Sequence, residues 1–431
     1  MELITVVVAL LPFTLLSRAI LKKELGPFID PFGLDVLALA GAFGYLALLM
    51  FALGVLQLYR PEILWGTILL HYCLAFLLYG KRLFYALGKR GRALLVRWRD
   101  EPVFIKGLVL FGVLLLFFNI LGAYVPQTSN DALYYHFAIP KLFIRHGGLF
   151  FYPYDYTSVW PFNMEMLFTL GMLLHNDTTA NLFNIVAGAA FSLMFYNLIR
   201  LYLGHRHGIF WAVVFYSTPL VMTEAHNGFV DMGAGLFAIA GFYILLAALR
   251  KKNLSYRTAI LSGVFFGFSA GSKLFGVILG FFALALSLCF FKPYRWKIVF
   301  CSCLIALFMG LVASPWHIRS VIHTGNPVYP AFYSVFGGKF WNDAMEKRWE
   351  AINNMSQSNL APLGRSYKAF MAMPFLLHYP RLLGDLISHD EEEKEVFLQF
   401  RPRLGYLAFL FFPFGFLFLW KRKQYAREMA F

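Results

Sequence analysis

Apolar runs of bilayer-crossing length recur from one end of this chain to the other. They lie near residues 3–21, 33–57, 63–79, 107–125, 178–203, 209–223, 232–249, 258–272, 274–291, 298–315 and 404–420. Roughly 20 apolar residues cross a bilayer, so the runs predict an all-α integral membrane protein of about eleven spans, and the composition excludes a soluble globular enzyme. Only 14% of the 431 residues are charged and 59% are hydrophobic, where a soluble chain has about a quarter charged. The first run lacks a small-residue cleavage site behind it and is read as a retained helix.

A further segment, 161–175, is too short and too polar for a span. It carries Asn163 and Glu165, and charge placement decides its side, because short cytoplasmic loops collect Lys and Arg. If 161–175 does not cross, segments 18–31, 81–106, 200–208, 250–257, 292–297 and 421–431 share one side and hold about 24 of the 38 basic residues. The short loops opposite then hold only Arg60, Lys141, Arg145 and Lys273. Segment 161–175 is therefore expected to lie on the outer surface as an interfacial helix, with the N-terminus outside and the C-terminus in the cytoplasm. The net charge of +15 follows from those basic loops without invoking nucleic acid. Cys73, Cys289, Cys301 and Cys303 all fall in apolar runs and indicate neither a disulfide framework nor a metal cluster. The basic, amphipathic stretch 81–99 fits an inner-leaflet surface helix.

Two regions are left facing outward with enough length for chemistry, 126–177 and 316–403. Gln127 to Lys141 reads as a surface helix with Leu133, Phe137 and Leu142 on its apolar face. Asp131 opens it, placed either to take a proton from a hydroxyl nucleophile or to cap the helix. The loop Glu224-Ala-His226 to Asp231 holds three possible ligands whose spacing matches no closed metal site; Asp231 as a cap is the simpler reading. The run 258–291 is expected to break at Gly271-Ser272-Lys273, because one helix of that length would rise about 50 Å. Gly263, Gly267 and Gly271 would then let neighbouring helices approach, and Lys273 would either snorkel to the interface or meet a lipid phosphate. Beyond the tenth run, Trp316, His317 and Arg319 precede Thr324-Gly-Asn326-Pro-Val-Tyr329-Pro, an interfacial aromatic cluster and turn with two donors for a phosphate. The acidic stretch 389–395 reads as a solvated helix face. No Asp-x-Asp, Walker glycine loop or His-Glu-x-x-His occurs, so nucleotide-dependent and zinc-hydrolase chemistries lack their motifs.

In order along the chain, Asp131-Ala-Leu-Tyr-Tyr-His136, Pro140-Lys141, Trp160-Pro161, the Asp231 span, Gly-Ser-Lys273 and Trp316 through Pro330 resemble the membrane glycosyltransferases of the GT-C superfamily. The branch is the one related to protein O-mannosyltransferases and bacterial aminoarabinose transferases, and the resemblance covers about residues 107–335. It implies a GT-C fold with outer-face juxtamembrane helices, and inverting transfer of a sugar from a polyprenyl phosphate to a lipid, glycan or protein on the outer face of the plasma (inner) membrane. By that resemblance Asp131 is the general base, while Lys273, Arg319 and His317 hold the donor phosphate. His136, Lys141, Glu165, Asp231, Asn326 and Tyr329 would line the substrate cavity. No cofactor is required, and a divalent metal is possible only through Glu224 and His226. Position 130 is Asn, where the O-mannosyltransferase pattern pairs an aspartate with a glutamate.

The expected domains are a three-helix segment with a basic loop (1–106), the GT-C-like module with its outer loop 126–177 (107–315), an outer-face region (316–403) and a last helix with a basic tail (404–431). The alternatives are a lipid-linked oligosaccharide ligase or polymerase using Arg319, Arg365 and His378, a flippase or transporter of a lipid-linked sugar, and a non-catalytic membrane partner. Against transport, no internal repeat is evident and the ionisable residues crowd one face, whereas alternating access places them near the midplane.

Overall fold

Where sequence periodicity demands helix, polar residues fix the starts. The computed structural model describes residues 1–79, 98–251, 254–290 and 295–358, and the long elements are helices α1 (Glu2–Leu25), α2 (Pro31–Val55), α3 (Pro61–Tyr79) and α4 (Val103–Gly122). After a π-helical turn, Ala132–His136, come α5 (Ala138–Arg145), α6 (Asn163–Leu174), α7 (Asp177–Leu203), α8 (His205–Tyr216), α9 (Pro219–His226), α10 (Asp231–Arg250), α11 (Tyr256–Ala270), α12 (Phe275–Phe290) and α13 (Arg295–Thr324). Asp30 accepts from the N–H groups of Phe32 and Gly33, with Pro31 next in line, to open α2. Asn176 accepts from Thr179 N–H at 2.9 Å to open α7; both are side chains that satisfy orphan donors at a helix start.

Each of the first ten predicted runs lies on helix, and this is an all-helical membrane protein. Seven helices among the described residues are long and apolar enough to cross, and an eighth counts if α8 and α9 are one broken span. The expected eleven is reduced because α11 and α12, at 15 and 16 residues, are too short to cross alone. The run at 404–420, the stretch 389–395, most of 81–99, Arg365 and His378 lie outside the described residues.

Two compact units form: Met1–Tyr216 with Glu224–Arg319, and Ser217–Thr223 with the described residues from Ser320 onward. The first has a core built by α1, α2, α6, α7 and α10, in which Phe13, Phe43, Phe168, Phe183 and Phe237 are fully buried. A second cluster joins α10, α11 and α13 through Phe266, Cys301 and Ile305. The break between α11 and α12 falls at Gly271-Ser272-Lys273, as expected. A Cβ on Gly263 would stand 2.6 Å from the Ile305 carbonyl oxygen, and one on Gly267 2.6 Å from Val312 Cβ; here glycine is what lets α11 lie against α13. In the second unit Asn326 organises a turn: its side-chain amide donates to the carbonyls of Ala331 and Gly337, and its oxygen accepts from Val328 N–H. Trp341 stacks edge-on against both Tyr329 and Trp349.

Two expectations about the outer region are corrected. Segment 161–175 does not lie on the surface: Asn163 through Gly171 of α6 are all buried, packed against α2 and α7. Its polar side chains do not bring it to the surface because they have buried partners: Asn163 accepts from Trp316 Nε1–H and Glu165 bonds to His136. Likewise Leu133 points outward, because the π-helical turn rotates the register. Phe137 is buried and Leu142 packs against the core as expected, and Ala132, His136, Ile139 and Phe143 are inward as well.

Candidate active site

The π-helical turn sets the arrangement. A π turn widens the backbone by one residue, so Asp131 stays exposed while His136, five residues on, is buried. Asp131 makes no side-chain cap bond, which removes the capping reading. Its Oδ2 instead accepts a long bond, 3.4 Å, from the Tyr135 hydroxyl. Burial first, and then the charges of Asp131 and Glu165, push the Tyr135 hydroxyl above the usual phenol range, so it remains a protonated donor beside the carboxylate.

Behind this exposed pair lies a buried one. His136 Nδ1 and Glu165 Oε1 share a hydrogen bond of 2.7 Å, with the two side chains 4% and 1% exposed. Burial raises the Glu165 carboxyl above its ordinary range, against the lowering influence of His136 and, more weakly, Lys273. The His136 ring also lies against that of Tyr135, tilted, with centroids 4.0 Å apart, so an unbroken series of contacts runs from Asp131 through Tyr135 and His136 to Glu165. Trp160 packs edge-on against Tyr135, and Tyr156 packs against Trp160. Burial, then Tyr134, Asp155 and Asp131, push the Tyr156 hydroxyl up to about 12.

On the hairpin side, Lys273 Nζ donates to Asp231 Oδ1 at 2.7 Å, and both side chains are part-exposed. Asp231 opens α10 and Lys273 occupies the break between α11 and α12. Asn163 locks the hairpin to α6. Its N–H donates to the Gly271 carbonyl and its side-chain amide to that of Phe268, while its Oδ1 accepts from Trp316 Nε1–H at 2.8 Å. The charges of Asp131, Glu165 and Asp231 all act on Tyr135, and that of Lys273 on Glu165, so the carboxylates and the ammonium share one neighbourhood.

Other expected site residues fall elsewhere. Arg319 does not reach out toward a phosphate: its side chain is buried, it donates to the carbonyls of Ser158 and Phe150 at 2.6 and 2.7 Å, and it lies over the Phe143 ring. Its bonds hold the loop 150–158, since a buried guanidinium must satisfy its donors. Lys141 pairs with Asp177 at 2.5 Å, at the start of α7. His317 is half-buried on α13. Asn326 is fully buried in its own turn, and Tyr329 is buried with it in the second unit. The backbone carbonyls of Glu224 and His226 accept from Asn184 and Asn181 respectively. Among the described residues no three His, Cys, Asp or Glu side chains converge as a metal site.

Sequence reasoning passed over Tyr135 and gave Asn163 no partner. The available signals were a tyrosine four residues after Asp131 and an asparagine inside an apolar run, a buried polar group that demands partners.

Helices long and apolar enough to span, with a polar cluster at one end of them, make this an integral membrane protein. Residues 160–318 match the model of the dolichyl-phosphate-mannose-protein mannosyltransferase family. Over that segment the chain is similar to this family of membrane glycosyltransferases, which use lipid-linked sugar donors. The matched segment contains Glu165, Asp231, Lys273 and His317, and begins after Asp131. No curated protein and no solved structure matches the chain.

Proposed function

We propose that the chain moves a sugar from its polyprenyl-phosphate donor to a hydroxyl-bearing acceptor, lipid, glycan or protein, with inversion at the anomeric carbon. The acceptor oxygen bonds to that carbon as its bond to the phosphate oxygen breaks; the acceptor proton passes to Asp131 and polyprenyl phosphate leaves. The observation that carries the reading is the contrast between two carboxylates in one cluster. Asp131 is exposed and lightly bonded, as a base must be, whereas Glu165 is enclosed and bonded to His136. Lys273 supports the donor side: an ammonium has three donors, and the bond to Asp231 leaves two for a phosphate whose charge grows as it departs.

The leaving group is a monophosphate ester, so Lys273 suffices without a metal. Charge asymmetry of the loops supports an outer-face position for this cluster, at the plasma membrane, with the C-terminus in the cytoplasm.

The test is transfer in proteoliposomes from a panel of polyprenyl-phosphate sugars to membrane extracts. Asp131→Asn should reduce transfer by about 10²–10⁴-fold, the range for a lost general base, with the protein still folded, and a chelator should leave the unaltered protein's rate unchanged. Transfer that survives Asp131→Asn would remove Asp131 as the base, and inhibition by the chelator reversed by a divalent ion would reinstate a metal.

A further inference from the structure

At the opposite end of the same helices lies a second polar site. Helix α10 begins at Asp231, in the cluster described above, and ends at Arg250; 20 residues of helix rise about 30 Å, the thickness of a bilayer core. The two sites therefore belong to opposite membrane faces.

At the far face the last turns of α7 and α10 and the α1–α2 connection enclose a cavity of about 400 Å³, within the size range of small-ligand sites. Its polar wall consists of Asp30, Asn197, Arg200, Tyr243, Arg250 and Lys251. Three cations face one carboxylate. Asp30 is taken by Arg200, whose guanidinium also donates to Asn197 Oδ1 at 2.8 Å. Arg250 donates to the Leu201 carbonyl, and Lys251 is exposed. Among the described residues no carboxylate pairs with either, so the cavity holds two uncompensated positive charges beside a preset guanidinium and a phenol.

We propose that this cavity binds the phosphate of an anionic headgroup, with Arg250 and Lys251 as its charge contacts and the Arg200–Asp30 pair as its fixed wall. Snorkelling alone would explain cations at helix ends. It does not explain why they converge on one half-open cavity at the ends of two spans, the setting in which basic pockets take lipid headgroups. The proposal is independent of the transfer chemistry.

The experiment is native mass spectrometry of the full chain in non-ionic detergent, titrated with phosphatidylglycerol, phosphatidylcholine or soluble glycerol phosphate. The unaltered protein should retain phosphatidylglycerol in preference to phosphatidylcholine, and Arg250→Gln/Lys251→Gln should weaken that binding at least about tenfold, one lost charge contact being worth roughly that factor. Lys251→Glu gives the same reading by charge reversal at one exposed position, and retention of the melting temperature certifies the fold. Glycerol phosphate binding as tightly as the lipid, and lost in the same variants, assigns the site to a soluble phosphate ester. Equal phosphatidylglycerol binding by all three proteins overturns the proposal.

Discussion

Glu165 Oε1 lies 2.7 Å from His136 Nδ1 in surroundings that exclude solvent, and among the described residues Glu165 Oε2 has no hydrogen-bond partner. A carboxyl so placed holds its proton more tightly than it would in the unfolded chain. Because the folded state then binds more protons, stability falls as pH rises from the ordinary glutamate range through the raised value. Glu165→Gln keeps a hydrogen-bonding group beside His136 and has no proton to lose. Thermal melts across that pH range should therefore show the unaltered protein losing stability relative to Glu165→Gln as pH rises. Glu165→Ala should cost about 1–3 kcal/mol by leaving His136 buried without its partner. A pH-independent difference between the unaltered protein and Glu165→Gln would contradict the burial argument.

Lys273 and Asp231 are bonded at 2.7 Å with side chains 48% and 41% exposed. A pair in that much solvent contributes about 0–1 kcal/mol, so Lys273→Ala should hardly move the melting temperature. Transfer, by contrast, should fall by about 10²-fold, the effect of removing one donor to a developing oxyanion. Loss of stability and rate together, in proportion, would mark the pair as structural only.

These two pairs also define what could be read in advance. The hairpin break was legible because Gly-Ser-Lys inside an apolar run has few alternatives: a lysine must reach an interface, and a 34-residue helix exceeds the bilayer. Helix positions were legible for the same reason, since hydropathy needs no tertiary information. The His136–Glu165 bond was not, because its members are 29 residues apart and each alone reads equally well as a solvated group. Arg319 illustrates the limit. A cation near a span end can snorkel, meet a phosphate or turn inward to backbone carbonyls, and only the packing of loop 150–158 selects the last. The burial of α6 was not legible because Asn163 and Glu165 in a short segment read as solvated groups, and only their distant partners, Trp316 and His136, satisfy them in the interior.

Asn163 joins α6, α11 and α13 through three hydrogen bonds, one of them from Trp316 Nε1–H, and both residues are fully buried. Asn163→Ala would strand the indole donor, whereas the Phe268 carbonyl keeps the Ser272 hydroxyl as a donor. The expected loss is about 1–3 kcal/mol. In a double-mutant cycle with Trp316→Phe the second substitution should be milder in the Asn163→Ala background, because the donor it removes is already unsatisfied. Additive losses would mean that the bond between them contributes nothing.

The glycines of α11 and α13 offer a contrast within one helix pair. Alanine at Gly263 would place its Cβ 2.6 Å from the Ile305 carbonyl oxygen, a backbone atom that cannot swing aside, whereas alanine at Gly310 meets nothing within 4 Å. Overpacking of the first kind costs about 1–3 kcal/mol, and the second exchange gains up to about 1 kcal/mol of helix propensity. Gly263→Ala should therefore lower the melting temperature and Gly310→Ala should hold or raise it. The displacement in Gly263→Ala pushes α13 away from α11, and α13 carries Trp316, the anchor of Asn163 and hence of the Lys273 hairpin. Transfer in Gly263→Ala should thus fall further than in Gly310→Ala when both are assayed well below their melting temperatures. Equal rates there would show that the packing of α11 on α13 does not govern where Lys273 stands.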